Sequence, residues 1–227
     1  MSTAQAEDGS AASAFFSDGM KALESGSPLA ASEAFAKAAA EAPDWGLAHL
    51  QWGIAEQLHQ PESKNVLVAL ERAVVLEPTN ARAQFHLARA YLRLSRQRDA
   101  IRAFEACLAR RKTYPNARFL LAQTLLEIRD TQKAQTTLEE VLRDEPKHTG
   151  AIVSLAELYE RIGRTEDAEA MLLRITALQP RVAYHFVRLA KFYERVGELE
   201  KAQDARAQAE VVDPRPAREM RPLRRGR

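Results

Sequence analysis

Residues Ala81–Arg110 read "ARAQFHLARAYLRLSRQRDAIRAFEACLAR". Apolar and small residues recur at helical spacing through two stretches with a polar break between them, which predicts a helix, a turn and a second helix. The arginines are unusual. From Ala81 to Tyr114 nine Lys or Arg stand against two acids, a local charge of +7, whereas the whole 227-residue chain carries +2. A surplus this local concerns a partner more than solubility.

Sliding this stretch forward by 34 residues carries Leu87, Ala88 and Tyr91 onto Leu121, Ala122 and Leu125. Further slides reach Leu155, Ala156 and Tyr159, then Leu189, Ala190 and Tyr193. Ala100 falls on Ala134, Ala168 and Ala202, and Phe104 on Leu138 and Leu172. Prolines mark the same period at Pro43, Pro78, Pro146, Pro180 and Pro214, with Lys112 in the one missing slot. Proline lacks an N–H and forbids helix continuation, so it sets where the next unit starts. Gly163 and Gly197 hold equivalent turn sites, where a helix can end in a left-handed cap. Alanine at a fixed place lets two helix backbones approach closely, and Tyr or Leu one turn later fills the space beside that contact. A fixed internal period of this size is the signature of a repeat architecture.

The pattern resembles the tetratricopeptide repeat: 34 residues, helix–turn–helix, small residues at fixed contacts and a closing proline. The resemblance covers Ser13 to Pro214 as six repeats, about 13–45, 46–80, 81–114, 115–148, 149–182 and 183–214. In the first, Gly19, Gly26, Ala31, Phe35, Ala38 and Pro43 occupy family positions; in the second, Trp52, Gly53, Leu70, Ala73 and Pro78 do, with one extra residue in the turn near Pro61. The aromatic expected early in the first helix is Phe15 in repeat one and Phe186 in repeat six, but His49, Gln84 and Arg118 in repeats two to four. The implied fold is all-α, a right-handed α-solenoid of helix–turn–helix repeats.

Where Phe35, Leu70, Phe104, Leu138 and Leu172 mark the second helices of repeats one to five, repeat six has Arg206. A last helix has nothing beyond it to bury it and needs a polar outer face, which Arg206 and Glu210 suit. Residues 1–12 read as a disordered leader. Residues 215–227 read as a flexible Arg/Pro-rich tail that includes Arg221, Arg224, Arg225 and Arg227.

The leader has neither a basic region nor an apolar core, so it does not read as a signal peptide. No apolar run is long enough for a membrane span. The single Cys107 forms no internal disulfide and favours a reducing compartment. Arg outnumbers Lys 25 to 8, which with abundant Ala points to a GC-rich bacterial genome; the leader, the lack of a span and the single Cys together predict a cytoplasmic protein.

Nothing in the sequence asks for a cofactor or a catalytic site. His49, His59, His86, His148 and His185 include no pair at i, i+3 or i, i+4, and one Cys completes no metal-ligand set. Cys107 falls at a small-residue contact with no base beside it and reads as a buried packing thiol.

In tetratricopeptide arrays the first helices line an inner face where peptides bind, so the resemblance points to the inner rows. One runs Phe16, Leu50, Phe85, Phe119, Val153 and Val187; the next Met20, Ile54, Arg89, Gln123, Glu157 and Lys191; a third Leu23, Gln57, Leu92, Leu126, Glu160 and Glu194; a fourth Glu24, Leu58, Arg93, Glu127, Arg161 and Arg195. The groove this implies is apolar near its N-terminal half, basic at repeat three and mixed in charge beyond. Arg82, Arg89 and Arg93 follow the i, i+7, i+11 spacing of one helix stripe. The candidate partner-binding residues are therefore Arg82, Phe85, Arg89, Leu92, Arg93, Phe119 and Gln123, with Ile54 and Leu58. Phe85 and Phe119 can equally be core between repeats. The expected function is a non-catalytic scaffold or adaptor holding an acidic and apolar segment of another protein, as in assembly of a multi-protein machine. The alternative is nucleic-acid or anionic-surface binding through the Arg-rich tail and the basic third repeat.

Overall fold

The computed structural model describes residues 11–114 and 116–213, and all twelve helices found among them are α-helices. The chain divides into two compact units that meet between Arg129 and Asp130. The first holds α1 (Ala11–Glu24), α2 (Pro28–Glu41), α3 (Gly46–His59), α4 (Lys64–Leu76), α5 (Ala81–Arg93), α6 (Gln97–Arg110) and α7 (Ala117–Glu127). The second holds α8 (Thr131–Asp144), α9 (Thr149–Arg161), α10 (Thr165–Leu178), α11 (Ala183–Val196) and α12 (Leu199–Val212). Within each unit a helix packs chiefly on its neighbours in the chain, and α3 also touches α5. The fold is all-α and built of helix–turn–helix repeats. Helix α1 begins at Ala11, two residues before the expected edge of the leader. The rest of the leader and the tail with Arg221, Arg224, Arg225 and Arg227 lie outside the described residues.

The periodic prolines end helices as expected. Ala42, Glu77, Glu145, Gln179 and Asp213 each precede a proline, have left helical geometry, and donate their N–H to the carbonyl four residues back. The following ring disfavours the helical region for the residue before it. Arg111, before Lys112, adopts the same geometry with φ −140° and ψ 95°. The helix thus ends at the equivalent place even without the proline. Helix starts are capped by Ser63, Asn80, Asp130 and His148, each accepting a backbone N–H from the first turn.

The turn between the two helices uses left-handed backbone at a fixed place in five repeats: Gly26 (φ 73°), Ser95 (φ 55°), Arg129 (φ 62°), Gly163 (φ 78°) and Gly197 (φ 87°). The second repeat, with its extra residue near Pro61, does not use this turn.

Phe35, Leu70, Phe104, Leu138 and Leu172 are all at most 1% exposed. Phe35 and Leu70 meet glycines of the preceding first helix. A Cβ added at Gly19 would come within 2.7 Å of the Phe35 ring, and one added at Gly53 within 2.6 Å of Leu70. These two glycines sit in helices because the partner side chain occupies the space. In the sixth repeat the Arg206 guanidinium turns back to pair with Glu194 of α11, while Glu210 stays exposed. The last helix thus satisfies its charge partly inside the repeat, not only toward solvent.

The three polar residues in the aromatic slot are accommodated individually. His49 and Gln84 are buried. The His49 Nε2 contacts the Pro43 carbonyl at 3.1 Å, and Arg118 donates to the Lys112 carbonyl at 2.9 Å. His49 and Arg118 both use a backbone acceptor six residues back, in the turn closing the previous repeat.

Candidate partner-binding surfaces

Helix α5 turns its small residues Ala83, Ala88 and Ala90, with Gln84 and Leu87, into the core. The spacing of those residues leaves Arg82, Arg89 and Arg93 exposed along one stripe. None of the three has an ion-pair partner among the described residues. Other arginines of the same segment are neutralised locally: Arg96 donates to Asp99 at 2.7 Å, and Arg102 pairs with the same carboxylate. Asp99 is held below the usual carboxylate range mainly by its hydrogen bond from Arg96. Within the surplus, Arg96 and Arg102 thus form a paired group around Asp99, while the stripe on α5 stays unpaired.

Phe85 is half-buried. Its ring lies 4.8 Å from that of Tyr114 and 6.0 Å from that of Phe104, and the Arg89 guanidinium stands 5.9 Å from its centroid. Phe85 is thus both inter-helix packing and the apolar neighbour of the stripe. His86 is fixed to α3 at two points: its carbonyl accepts from Gln57 at 2.9 Å, and its Nδ1 lies 3.1 Å from the Gln57 Oε1. Burial, and then Arg82 and Arg89, push His86 down to about 4, so it adds no charge to the stripe near neutrality.

The other expected contacts divide. Leu92 and Phe119 are half-buried, Gln123 is exposed on α7, and Leu58 is 63% exposed on α3. Ile54 is 8% exposed and packs in the core with Leu50, Val66, Leu70 and Leu87. The inner-row assignment takes one face of α3 as open, but α4 and α5 close over that part of it.

A second concavity, in the other unit, was not among the residues singled out from the sequence. A groove of about 790 Å3 between α9 and α11 is lined by Glu157, Glu160, Arg161, Tyr184, Val187, Arg188, Lys191, Glu194 and Arg195. Arg188 pairs with Glu157 at 3.0 Å, Arg195 pairs with Glu160, and Arg206 pairs with Glu194. Seven of the nine lining residues belong to the inner rows, yet their pattern of pairing is absent from the linear sequence.

Cys107 is fully buried and its thiol is pushed up to about 11 by burial. Among the described residues no cluster of three or more His, Cys, Asp or Glu stands close enough to hold a metal ion, and no helix is long and apolar enough to cross a membrane.

Tetratricopeptide-repeat family models match residues 95–147 and 129–185, and a further one matches 67–115. Together they span 67–185, more than half of the chain. The chain is a tetratricopeptide repeat protein. No curated protein matches it in sequence. Among solved structures, a tetratricopeptide repeat protein from Parabacteroides merdae aligns with TM-score 0.71 at 15% identity, covering 95% of each chain. YrrB, a TPR protein with an unusual peptide-binding site, aligns with TM-score 0.68 at 19% identity over 81% of this chain and 94% of its own. PilW, a type IV pilus biogenesis factor, aligns with TM-score 0.66 at 18% identity over 89% and 94%. At these identities the likeness establishes the shared tetratricopeptide fold.

Proposed function

We propose that the protein is a non-catalytic interaction scaffold whose α5 stripe holds an acidic segment of a partner protein with apolar residues beside the acids. Tetratricopeptide repeats serve protein–protein interaction, and the fold supplies no catalytic family. The observation that carries the proposal is the unpaired state of Arg82, Arg89 and Arg93 on one face, beside the half-buried Phe85 ring. An apolar anchor supplies most of the affinity of such a complex, and the arginines supply approach rate and orientation. YrrB, which has a peptide-binding site, and PilW, a biogenesis factor, give the proposal its biological setting: an adaptor in assembly of a multi-protein machine.

The test is affinity capture from nuclease-treated lysate of the source organism at moderate salt. Wild type is compared with Arg82→Glu/Arg89→Glu/Arg93→Glu and with a chain ending at Pro214. The scaffold reading expects the triple charge reversal alone to lose a protein partner that wild type and the shortened chain retain. Loss on shortening the chain, or on nuclease treatment, sinks it in favour of an anionic polymer held by the tail.

A further inference from the structure

We propose that the groove between α9 and α11 is a second recognition site, for a peptide segment that places two carboxylates around an aromatic or apolar side chain. Composition alone makes the groove look mixed, with three acids and four bases on its lining. Pairing changes that balance. Glu157, Glu160 and Glu194 are each engaged by an arginine: Arg188, Arg195 and Arg206 in turn. Arg161 and Lys191 have no ion-pair partner among the described residues. The groove therefore presents two free cations against a neutralised background.

Its apolar parts are equally definite. Val187 forms a floor at 6% exposure, and the Tyr184 side chain stands 59% exposed at the wall. A volume of about 790 Å3 accommodates a few side chains of an extended segment, within the ~300–1,000 Å3 usual for ligand sites. Exposed aromatic surface beside an unpaired cation suits a ligand that is apolar at one point and anionic at the next. A basic segment finds no acid free to receive it. A nucleic-acid strand carries a charge on every phosphate, more than two free cations match, whereas a peptide with an uncharged residue between its acids places one carboxylate at each. The site is independent of the α5 stripe, since it lies in the other unit and rests on different residues.

The test uses the full-length protein and a synthetic peptide, Gly-Glu-Glu-Phe-Glu-Glu-Gly, with amide chemical shifts followed by NMR. The proposal expects the Tyr184, Val187 and Lys191 amides to move on titration, and the same peptide with Gln in place of Glu to leave them still. Arg161→Gln/Lys191→Gln should weaken binding at these amides about tenfold or more while keeping the wild-type melting temperature. Arg82→Gln/Arg89→Gln/Arg93→Gln should not change it. Still amides in wild type, equal response to the Gln peptide, undiminished binding in the Arg161/Lys191 variant, or displacement by a single-stranded oligonucleotide overturns the proposal. Loss of shifts on α5 alone counts against the scaffold reading of that helix and leaves this one standing.

Discussion

The Tyr91 hydroxyl donates to the Glu71 carboxylate at 2.9 Å, joining the first helix of the third repeat to the second helix of the repeat before it. The arrangement recurs two repeats along, the intervening repeat having Leu125 in place of the tyrosine. Tyr159 donates to Glu139 at 3.1 Å, and the guanidiniums of Arg96 and Arg164 lie over the two rings at 4.5 and 4.6 Å. Each arginine is held in turn by an aspartate three residues on, Asp99 and Asp167, both at 2.7 Å.

Burial first, then the bond to the glutamate, pushes the phenols of Tyr91 and Tyr159 up to about 12. A tyrosine whose folded value is raised contributes stability fully below the unfolded value near 10, and that stability is lost as pH rises toward 12. Ultraviolet titration of the native protein should show phenols ionising well above the ordinary range. Tyr91→Phe should remove one of them and lower stability by about 0.5–1.5 kcal/mol in urea unfolding. An unchanged late phase would refute the bond to Glu71.

Gly53→Ala should destabilise the protein despite the gain of roughly 1 kcal/mol in helix propensity. The new methyl would sit 2.6 Å from Leu70, which is fully buried and has nowhere to move. Overpacking of this kind costs about 1–3 kcal/mol. Thermal melting decides the sign, and a raised midpoint would mean that α3 and α4 are not in such close contact.

Ser95→Gly should stabilise by about 0.5–1 kcal/mol. The serine holds φ at 55° in the place where Gly163 and Gly197 stand, and a residue with a Cβ pays roughly 1–2 kcal/mol there. Part of that gain is offset by the greater freedom of glycine in the unfolded chain. Urea midpoints of the two proteins supply the check.

His86 falls from 6.5 in the unfolded chain to about 4 in the fold. The unfolded state therefore binds a proton over an interval where the native state does not. Stability is unaffected above pH 6.5 and declines as pH drops toward 4, by up to about 3 kcal/mol from this group. His49 and His185 are lowered too, chiefly by burial, and act in the same direction. Urea unfolding at a series of pH values should show a flatter decline for His86→Gln than for wild type, and parallel curves would show that Arg82, Arg89 and burial do not act on this ring.

The repeat was legible because its determinants are local and periodic. Small residues at Ala88, Ala122, Ala156 and Ala190 are all fully buried, and the prolines end helices where the spacing places them. The Arg stripe was legible for the same reason, since one helix carries all of it. Ile54 was misleading: its place on α3 marks an inner row, but whether α4 and α5 cover that row depends on how three helices pack. The α9–α11 groove was hidden more deeply. Arg188 and Glu157, or Arg195 and Glu160, lie about a repeat apart in sequence, and only the meeting of their side-chain ends separates engaged charges from free ones. The Tyr–Arg–Asp arrangement did leave a trace, in "YLRLSRQRD" and "YERIGRTED", but the glutamate that completes it belongs to the preceding helix.

The fit of Gly53 beneath Leu70 also ties two positions together in descent. A duplicated copy of this repeat inherits a matched pair, and neither member can drift alone: a methyl at the glycine collides, and a smaller residue at the leucine leaves a hole. Any route from a glycine-type repeat to the alanine-type repeats that follow it must widen the helix separation, or reshape the leucine, before the alanine becomes tolerable. The order of those substitutions is thereby set by a distance of 2.6 Å.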